Sequence, residues 1–502
     1  MLESYVKRIL GSRVYDLAEE TPLQHAAALS RRLNTDVYLK REDLQPVFSF
    51  KLRGSYNKMA QMSEAQRARG VIAASAGNHA QGVALAARRL GIKATIVMGR
   101  NTPSIKVNAV RGFGAKVVLH GDSYDQAAEH AQQLKRDEKL IYIHPYDDVD
   151  VIAGQGTVGM EIVNQHPSRP EVIYVPVGGG GLIAGIGAYV KYLYPRTRII
   201  GVEPKGSDSM ATALRDGKRT KLPAAGLDLF ADGVSVAQVG RETFKVAQHC
   251  VDEVVVVTVD EICAAIKDVF EDTRVIAEPA GALAVAGMKK HIKPGTGNAV
   301  AVISGANVNF DRLRHISERA EVGENREAVL AVTIEEKQGS FLKFCRALGR
   351  RNISEFNYRL APNAKAHIYV GLEVASAGDR RAVIADLKSK KYALVDMTDN
   401  EVAKLHVRHM VGGRNVSKTE ELLFRFEFPE RPGALVQFLS GLGADWNITL
   451  FHYRNHGSAF GRVLVGFAAS VKQRQQLRKY LDQIGYRYWE ETDNPAYRLF
   501  LK

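Results

Sequence analysis

From about Thr21 to Asn309 the chain alternates short apolar runs with amphipathic segments of helical length. Val71–Ala74, Lys93–Met98, Lys116–Leu119, Val172–Val177, Ile199–Val202, Val254–Val257 and Ala299–Ile303 read as strands. Most are rich in β-branched residues and bounded by glycine or polar residues. Near-continuous apolar strands alternating with helices predict parallel sheets covered on both faces. Roughly 320 residues is large for one sheet, so the pattern predicts two packed α/β subdomains with a ligand cleft between them.

After about Arg319 the pattern changes and repeats. One copy reads Val329–Ile334, then EEKQGSFLKFCRALG, then NISEFNYR; the other reads Leu422–Phe428, then PERPGALVQFLSGLG, then NITLFHYR. Gly339 corresponds to Gly433 and Asn352 to Asn447. Each copy continues with a strand (His367–Val374; Arg462–Ala469), a helix (Asp379–Lys391; Gln473–Ile484) and a last strand (Ala393–Met397; Tyr486–Glu490). This β-α-β-β-α-β order is the ferredoxin-like unit, and its duplication makes chance a poor explanation. Asp399–Glu420, with Gly412, Gly413 and Arg414, reads as the linker. The expected layout is an α/β body over 1–320 and two α+β modules over 328–402 and 420–495, the pair forming a regulatory half; a structural or oligomerising half is the alternative.

Composition narrows the class without naming it. Hydrophobic residues make up 45% and charged residues 25% of 502, which excludes disordered and low-complexity scaffolds. Cys250, Cys263 and Cys345 form neither a disulfide framework nor a zinc pair. The net charge of +14 invites a nucleic-acid reading, but residues 321–502 hold 28 basic and 21 acidic side chains and the remainder 41 and 34. An excess shared equally is a solvated basic surface that suits small anions, and no nucleic-acid partner is expected. Val172–Val190 is uncharged and long enough to cross a bilayer, yet it contains Pro176 and Gly178–Gly181. Such backbone has no partners in lipid, so strand, loop and helix are expected there, and no membrane partner. Met1–Leu10 has no apolar h-region, and the expected location is the cytoplasm.

Four stretches carry candidate chemistry. In LKREDLQPVFSFKLRGSYNKM, Lys51 lies among Phe48, Ser49 and Phe50. Desolvation by such neighbours lowers an amine's pKa and frees it as a nucleophile for Schiff-base chemistry; a solvent-facing lysine at a helix start is the plainer alternative. SAGNHAQG at 75–82 follows a strand and opens a helix, offering backbone amides to an anion, with Asn78 and His79 as side-chain donors or Asn78 as a mere cap. VPVGGGGL at 175–182 places four glycines after a buried strand, a nest for a phosphate but neither GxGxxG nor a Walker loop. In VISGANVNF, Ser304 ends another strand. Strand carboxyl ends are where open α/β sheets bind ligands.

Taken together, these stretches resemble the pyridoxal-phosphate enzymes of the tryptophan-synthase-β type. More closely, SFKLRGSYNKM, SAGNHAQGVA, DVFEDTRVIAEPAGALA, SGANVNF, EEKQGSFLKFC, AKLHVRHMVGG and FHYRNHG resemble the biosynthetic threonine deaminases, from TPLQ at residue 21 to NPAYRLFL near the end. The resemblance implies pyridoxal 5'-phosphate as cofactor, no metal, and paired ACT-like regulatory modules. It makes Lys51 the lysine that holds the cofactor and moves the substrate's Cα proton, with Phe50 packed on the cofactor ring. Asn78 bonds the ring hydroxyl, Ser75 and its following amides hold the substrate carboxylate, Gly178, Gly179, Gly180, Gly181 and Leu182 hold the phosphate, and Ser304 meets the pyridine nitrogen. Glu278, in AEPAGALA, matches a family acid facing the site, or is a helix N-terminal carboxylate before Pro279. The implied reaction turns L-threonine into 2-oxobutanoate and ammonia, the first step of isoleucine synthesis, with isoleucine inhibiting, valine relieving and L-serine also accepted. A homotetramer is implied too. Phe356, Tyr358, Phe451 and Tyr453 are candidate effector-pocket residues or plain core. A serine dehydratase or racemase is the nearer alternative, disfavoured by the paired modules. A catalytically silent amino-acid sensor is the other, disfavoured by intact Lys51, Asn78, glycines and Ser304.

Overall fold

The structure, a computed structural model, describes residues 1–502 apart from 122, 224–225, 294, 325, 338, 350, 361–364, 401, 404–406, 408–419, 430–433, 443–445, 455–459, 496, 498–500 and 502. The chain divides into two compact units, Met1–Gly323 and Glu324–Lys502. Gly433 and most of the linker Asp399–Glu420, including Gly412, Gly413 and Arg414, lie outside the described residues.

The first unit carries, in chain order, strands β1 (Leu23–His25), β2 (Asp36–Arg41), β3 (Val71–Ala74), β4 (Ala94–Met98), β5 (Lys116–Leu119), β6 (Ile141–Tyr142), β7 (Val172–Pro176), β8 (Arg198–Pro204), β9 (Glu253–Val257) and β10 (Asn298–Ile303). They form two sheets, β1-β2-β10-β7-β8-β9 and β5-β4-β3-β6. All neighbours run parallel except β1 on β2. β3, β4 and β7 are buried along their whole length, which is why they read as uninterrupted apolar runs. β2 does not read so, because its sequence DVYLKR ends on two charges; Lys40 and Arg41 are nonetheless buried. The stretch Val172–Val190 resolves into β7, a glycine turn and the helix Gly181–Leu193. Among the described residues no helix is long and apolar enough to cross a membrane.

The parallel arrangement decides where a ligand can sit. The carboxyl ends of β7 and β10 are neighbours in the larger sheet, and that of β3 belongs to the smaller one. Each runs straight into a candidate motif: β3 into Ser75 and the helix Asn78–Leu90, β7 into the glycines, β10 into Ser304.

The second unit holds β11 (Glu327–Glu335), β12 (Ile353–Arg359), β13 (Lys365–Glu373), β14 (Ala393–Asp396), β15 (Glu421–Pro429), β16 (Ile448–Arg454), β17 (Phe460–Ala468) and β18 (Arg487–Glu490). The order β14-β11-β13-β12-β16-β17-β15-β18 places two ferredoxin-like halves edge to edge in one eight-stranded sheet. The seam is the antiparallel pairing of β12 with β16, where Phe356 faces Tyr453 and Tyr358 faces Phe451. One edge strand of each half, β12 and β16, is thereby satisfied, with β14 and β18 at the margins of the sheet. Phe344, Phe356, Phe424, Phe438, Phe451 and Phe467 are fully buried in one core that runs through both halves. Phe356 and Phe451 are therefore core residues.

Candidate active site

Lys51 opens the helix Lys51–Ala60, and the approach to it is stitched to the end of β10. The Ala306 amide donates to the Phe48 carbonyl (2.9 Å) and the Phe50 amide to the Ser304 carbonyl (3.2 Å). Phe48 sits in the left-handed region (φ 54°) and turns its ring outward, 56% exposed. It thus does not desolvate Lys51, as its place in the sequence had suggested; Phe50 does, its ring centroid 5.1 Å from Lys51 Nζ. Nζ donates to the Pro145 carbonyl at 3.0 Å. Burial pulls the amine down to about 8, against the opposing pull of Glu278.

Two residues further along the same helix, Arg53 is fully buried and forks onto two carboxylates. Its Nε and Nη2 reach Glu42 at 2.7 Å each, and its Nη1 and Nη2 reach Glu161 at 2.5 and 2.9 Å. Lys40 completes the set at 2.5 Å from Glu161. Two cations thus neutralise two anions, as burial demands. The group clamps the first turn of the Lys51 helix to β2, to the turn Glu42–Leu44 and to the helix Val149–Gln165.

One cavity is lined by Phe50, Lys51, Asn78, Gly178–Gly181, Leu182, Glu278 and Ser304, together with Tyr146, Val234 and their neighbours. The sequence candidates of this unit converge there except His79 and Ser75, which lie outside that lining; Ser75 stands at the end of β3, its Oγ accepting the Gly77 amide at 3.2 Å. The glycines are required by space. A Cβ on Gly179 would lie 2.2 Å from the Tyr146 ring, and Gly180 adopts φ +92°. Gly180 is the N-cap of Gly181–Leu193 and no side chain caps that helix, so its first amides are available to an anion. The Ser304 hydroxyl donates to the Ala280 carbonyl at 3.3 Å.

Glu278 occupies the N-cap position of Pro279–His291, but its side chain caps no helix amide. Its Oε1 instead accepts from Asn78 Nδ2 at 2.5 Å, beside the cavity, so this helix N-terminal carboxylate also faces the site. Burial pushes Glu278 up to about 7, Asp232 adding to the rise and the Asn78 hydrogen bond opposing it. Asn78 Oδ1 in turn accepts from Asn307 Nδ2 at 2.6 Å. His79 faces inward behind this group, bonded to the Ile143 carbonyl (2.8 Å) and pulled down to about 3 by burial and Lys51, hence neutral.

Reasoning from sequence missed Tyr146, Asn307 and the partners of Arg53. Tyr146 stands in no recognisable motif. Asn307 stands inside one, three residues after Ser304, and only Ser304 drew attention.

The second unit has its own cavity beside the seam, lined by Ile334, Glu335, Lys337, Gly339, Phe341, Leu342, Tyr358, Leu439, Leu442, Trp446, Asn447 and Ile448. Of the four aromatic candidates Tyr358 lines it, its hydroxyl donating to Glu336 at 3.1 Å.

A desolvated ε-amine, a bare helix N-terminus walled by glycines and a buried hydroxyl around one cavity fit a phosphate-bearing aldehyde, and residues 14–305 match the family model "Pyridoxal-phosphate dependent enzyme". Residues 318–407 and 412–501 each match "C-terminal regulatory domain of Threonine dehydratase". The chain is 53% identical over 503 residues to the L-threonine dehydratase biosynthetic IlvA of Burkholderia multivorans, spanning 99% of both proteins. It is 50% identical over 501 residues to that of Escherichia coli, spanning 99% of this chain and 97% of the other. The processed form of threonine deaminase isoform 2 from Solanum lycopersicum superposes with TM-score 0.61 at 50% identity, over 64% of this chain and 93% of that one. The chain belongs to the biosynthetic threonine dehydratase family and is a pyridoxal-phosphate-dependent lyase.

Proposed function

We propose that the chain converts L-threonine to 2-oxobutanoate and ammonia and that its second unit places this under control by isoleucine, which inhibits, and valine, which relieves. The observation that supports the reaction is the single cavity shared by Lys51, Asn78, the glycine run and Ser304. Lys51 carries the cofactor. The amides of Gly178–Leu182, at the positive end of a helix, hold its phosphate. Phe50 packs on its ring, Asn78 meets the ring hydroxyl, and Ser304 meets the ring nitrogen as a neutral hydroxyl that does not compel protonation there. When bound, the cofactor draws electrons away from the substrate's Cα–H bond.

Lys51 is the base that takes the Cα proton. An amine pulled down to about 8 is unprotonated in a useful fraction near neutral pH. Ser75 and the amides after it hold the substrate carboxylate, orienting the Cα–H bond toward Lys51 Nζ. Glu278 holds Asn78 through Oε1 and supplies a carboxyl that gains and loses a proton near neutral pH. L-serine, one methyl smaller, is accepted by the same groups.

For regulation, the cavity beside the β12–β16 seam offers Phe341, Leu442, Trp446 and Ile448 to an aliphatic side chain, with Glu335 and Lys337 as opposite charges for an amino acid's termini. The quaternary reading, a cytoplasmic homotetramer, rests on the family resemblance, and light scattering of the purified chain tests it. The test of function is keto-acid formation from L-threonine by the cofactor-loaded chain, with and without L-isoleucine. Turnover that isoleucine suppresses and valine restores is expected. No turnover refutes the reaction, and turnover indifferent to isoleucine refutes the regulatory half.

A further inference from the structure

Asn307 lies on the segment after β10, and both protons of its side-chain amide have acceptors within reach. Nδ2 carries two protons, and two acceptors stand in reach: the Val47 carbonyl at 2.8 Å and Asn78 Oδ1 at 2.6 Å. A nitrogen donor at that position requires that Asn78 present oxygen to it. The Asn78 nitrogen must then point the other way, where it donates one proton to Glu278 Oε1 at 2.5 Å. Its second proton remains beyond these bonds, at a residue that lines the cavity.

Glu278 alone does not fix this orientation. Held up at about 7 by burial, its carboxyl exists in both protonation states near neutral pH. Ionised it only accepts; protonated it also donates, and would tolerate an Asn78 amide rotated by half a turn. The rotated amide would offer a carbonyl to the cavity where a donor is required. Asn307 cannot accept through Nδ2, so it forbids the rotated state whatever the pH. It is also anchored on backbone, through Val47, three residues before Phe50, so the amide is registered to the approach to Lys51 itself.

We propose that Asn307 is a positioning residue for the cofactor ring: it locks the Asn78 amide with its N–H toward the cavity, acting through Asn78 and touching neither cofactor nor substrate. The proposal rests on the reading that Asn78 meets the cofactor, and the test separates the two. The apparent pyridoxal-phosphate affinity and the absorption band of the bound cofactor are measured on the full chain for Asn78→Ala, Asn307→Ala, their double variant and the near-isosteric Asn307→Asp, which removes both donors at almost constant volume.

Loss of one or two net hydrogen bonds corresponds to roughly five- to tenfold weaker cofactor binding in each single variant. The band should shift in the same direction for both, and Asn307→Ala should add less than about twofold once Asn78 is already alanine. If Asn78→Ala leaves affinity and band unchanged, the reading of Asn78 itself fails and the proposal with it. If Asn78→Ala has its effect but the Asn307 change adds in full to it, or Asn307→Asp binds like the parent, the proposal alone is overturned. Should Asn307→Ala not fold, Asn307→Asp and the Asn78 background carry the same decision.

Discussion

Replacing Arg53 by methionine is the most informative single perturbation, because it removes charge while nearly preserving volume. Arg53 and Glu42 are fully buried, and five hydrogen bonds of 2.5–3.1 Å tie the guanidinium to Glu42, Glu161 and Thr157. Methionine leaves two buried carboxylates with Lys40 as their nearby cation and only neutral donors, from Tyr15, Thr21 and Gln45, beside it. Breaking a buried ion pair from one side costs about 3–5 kcal/mol, most of it the stranded charge. An unfolding entropy of about 2.1 cal/mol/K per residue, summed over the unit Met1–Gly323, gives about 0.7 kcal/mol per degree, so Tm should fall by roughly 4–7 °C. Differential scanning calorimetry of the full chain at pH 7.5 reads this directly. Lysine at 53 should recover only part, since a single ammonium cannot fork onto two carboxylates.

The same variant has a pH signature with a definite sign. Burial alone would raise Glu42, but Arg53 and then Lys40 outweigh it and hold the carboxyl below its ordinary value. A depressed folded-state pKa contributes stability that is present above the unfolded value, about 4.3, and is lost as pH falls. Arg53→Met removes the depression, so the gap in Tm between parent and variant should hold its full size at pH 7–8 and narrow as pH falls below about 5. A gap below about 1 °C at pH 7.5, or one that is constant with pH, would mean that the cluster is not a coupled ionic lock.

Three further outcomes are expected. Lys51→Ala should abolish keto-acid formation while the chain still melts cooperatively; in the parent stripped of cofactor, the rate of reloading should rise with pH through a midpoint near 8, where the amine loses its proton, and a midpoint near the ordinary lysine value would contradict its burial. Gly179→Ala places a methyl 2.2 Å from the Tyr146 ring and should weaken cofactor binding at least about tenfold by equilibrium titration, whereas parental affinity would show that the turn has room. Tyr358→Ala should raise the isoleucine concentration needed for half inhibition by about 5- to 150-fold, the range of a lost coupling of 1–3 kcal/mol, and leave kcat for threonine in place; unchanged inhibition would move the effector elsewhere.

What the sequence reveals about this molecule follows from how local each feature is. β3, β4 and β7 read clearly because each is wrapped by protein on both faces, and burial then selects an unbroken apolar run. The duplicated modules read clearly because a repeat needs no knowledge of partners, only of self-similarity. β2 escaped notice for the opposite reason: Lys40 and Arg41 look like solvent-facing charge, and only the distant Glu161 and the nearby Asp43 make their burial affordable.

The same reasoning explains why the motifs were found while the connections among them were not. Lys51, the glycines and Ser304 announce themselves through residue type at a strand or helix end, a property of a few neighbouring positions. Asn78, Glu278 and Asn307 form one hydrogen-bonded line only because the ends of β3 and β10 and the start of the helix Pro279–His291 bring them together at the cavity's edge, Asn78 lying 200 and 229 residues from the other two. Phe48 shows the converse error. Two residues before Phe50 in sequence, it would share in desolvating Lys51 if the segment were extended, but one left-handed residue sends its ring into solvent. Neighbourhood along the chain therefore identifies which groups can do chemistry here. Which protonation state and which orientation they hold is set by long-range partners, and those partners, Asn307 and Arg53 foremost, are where substitutions should separate a folded protein from a working one.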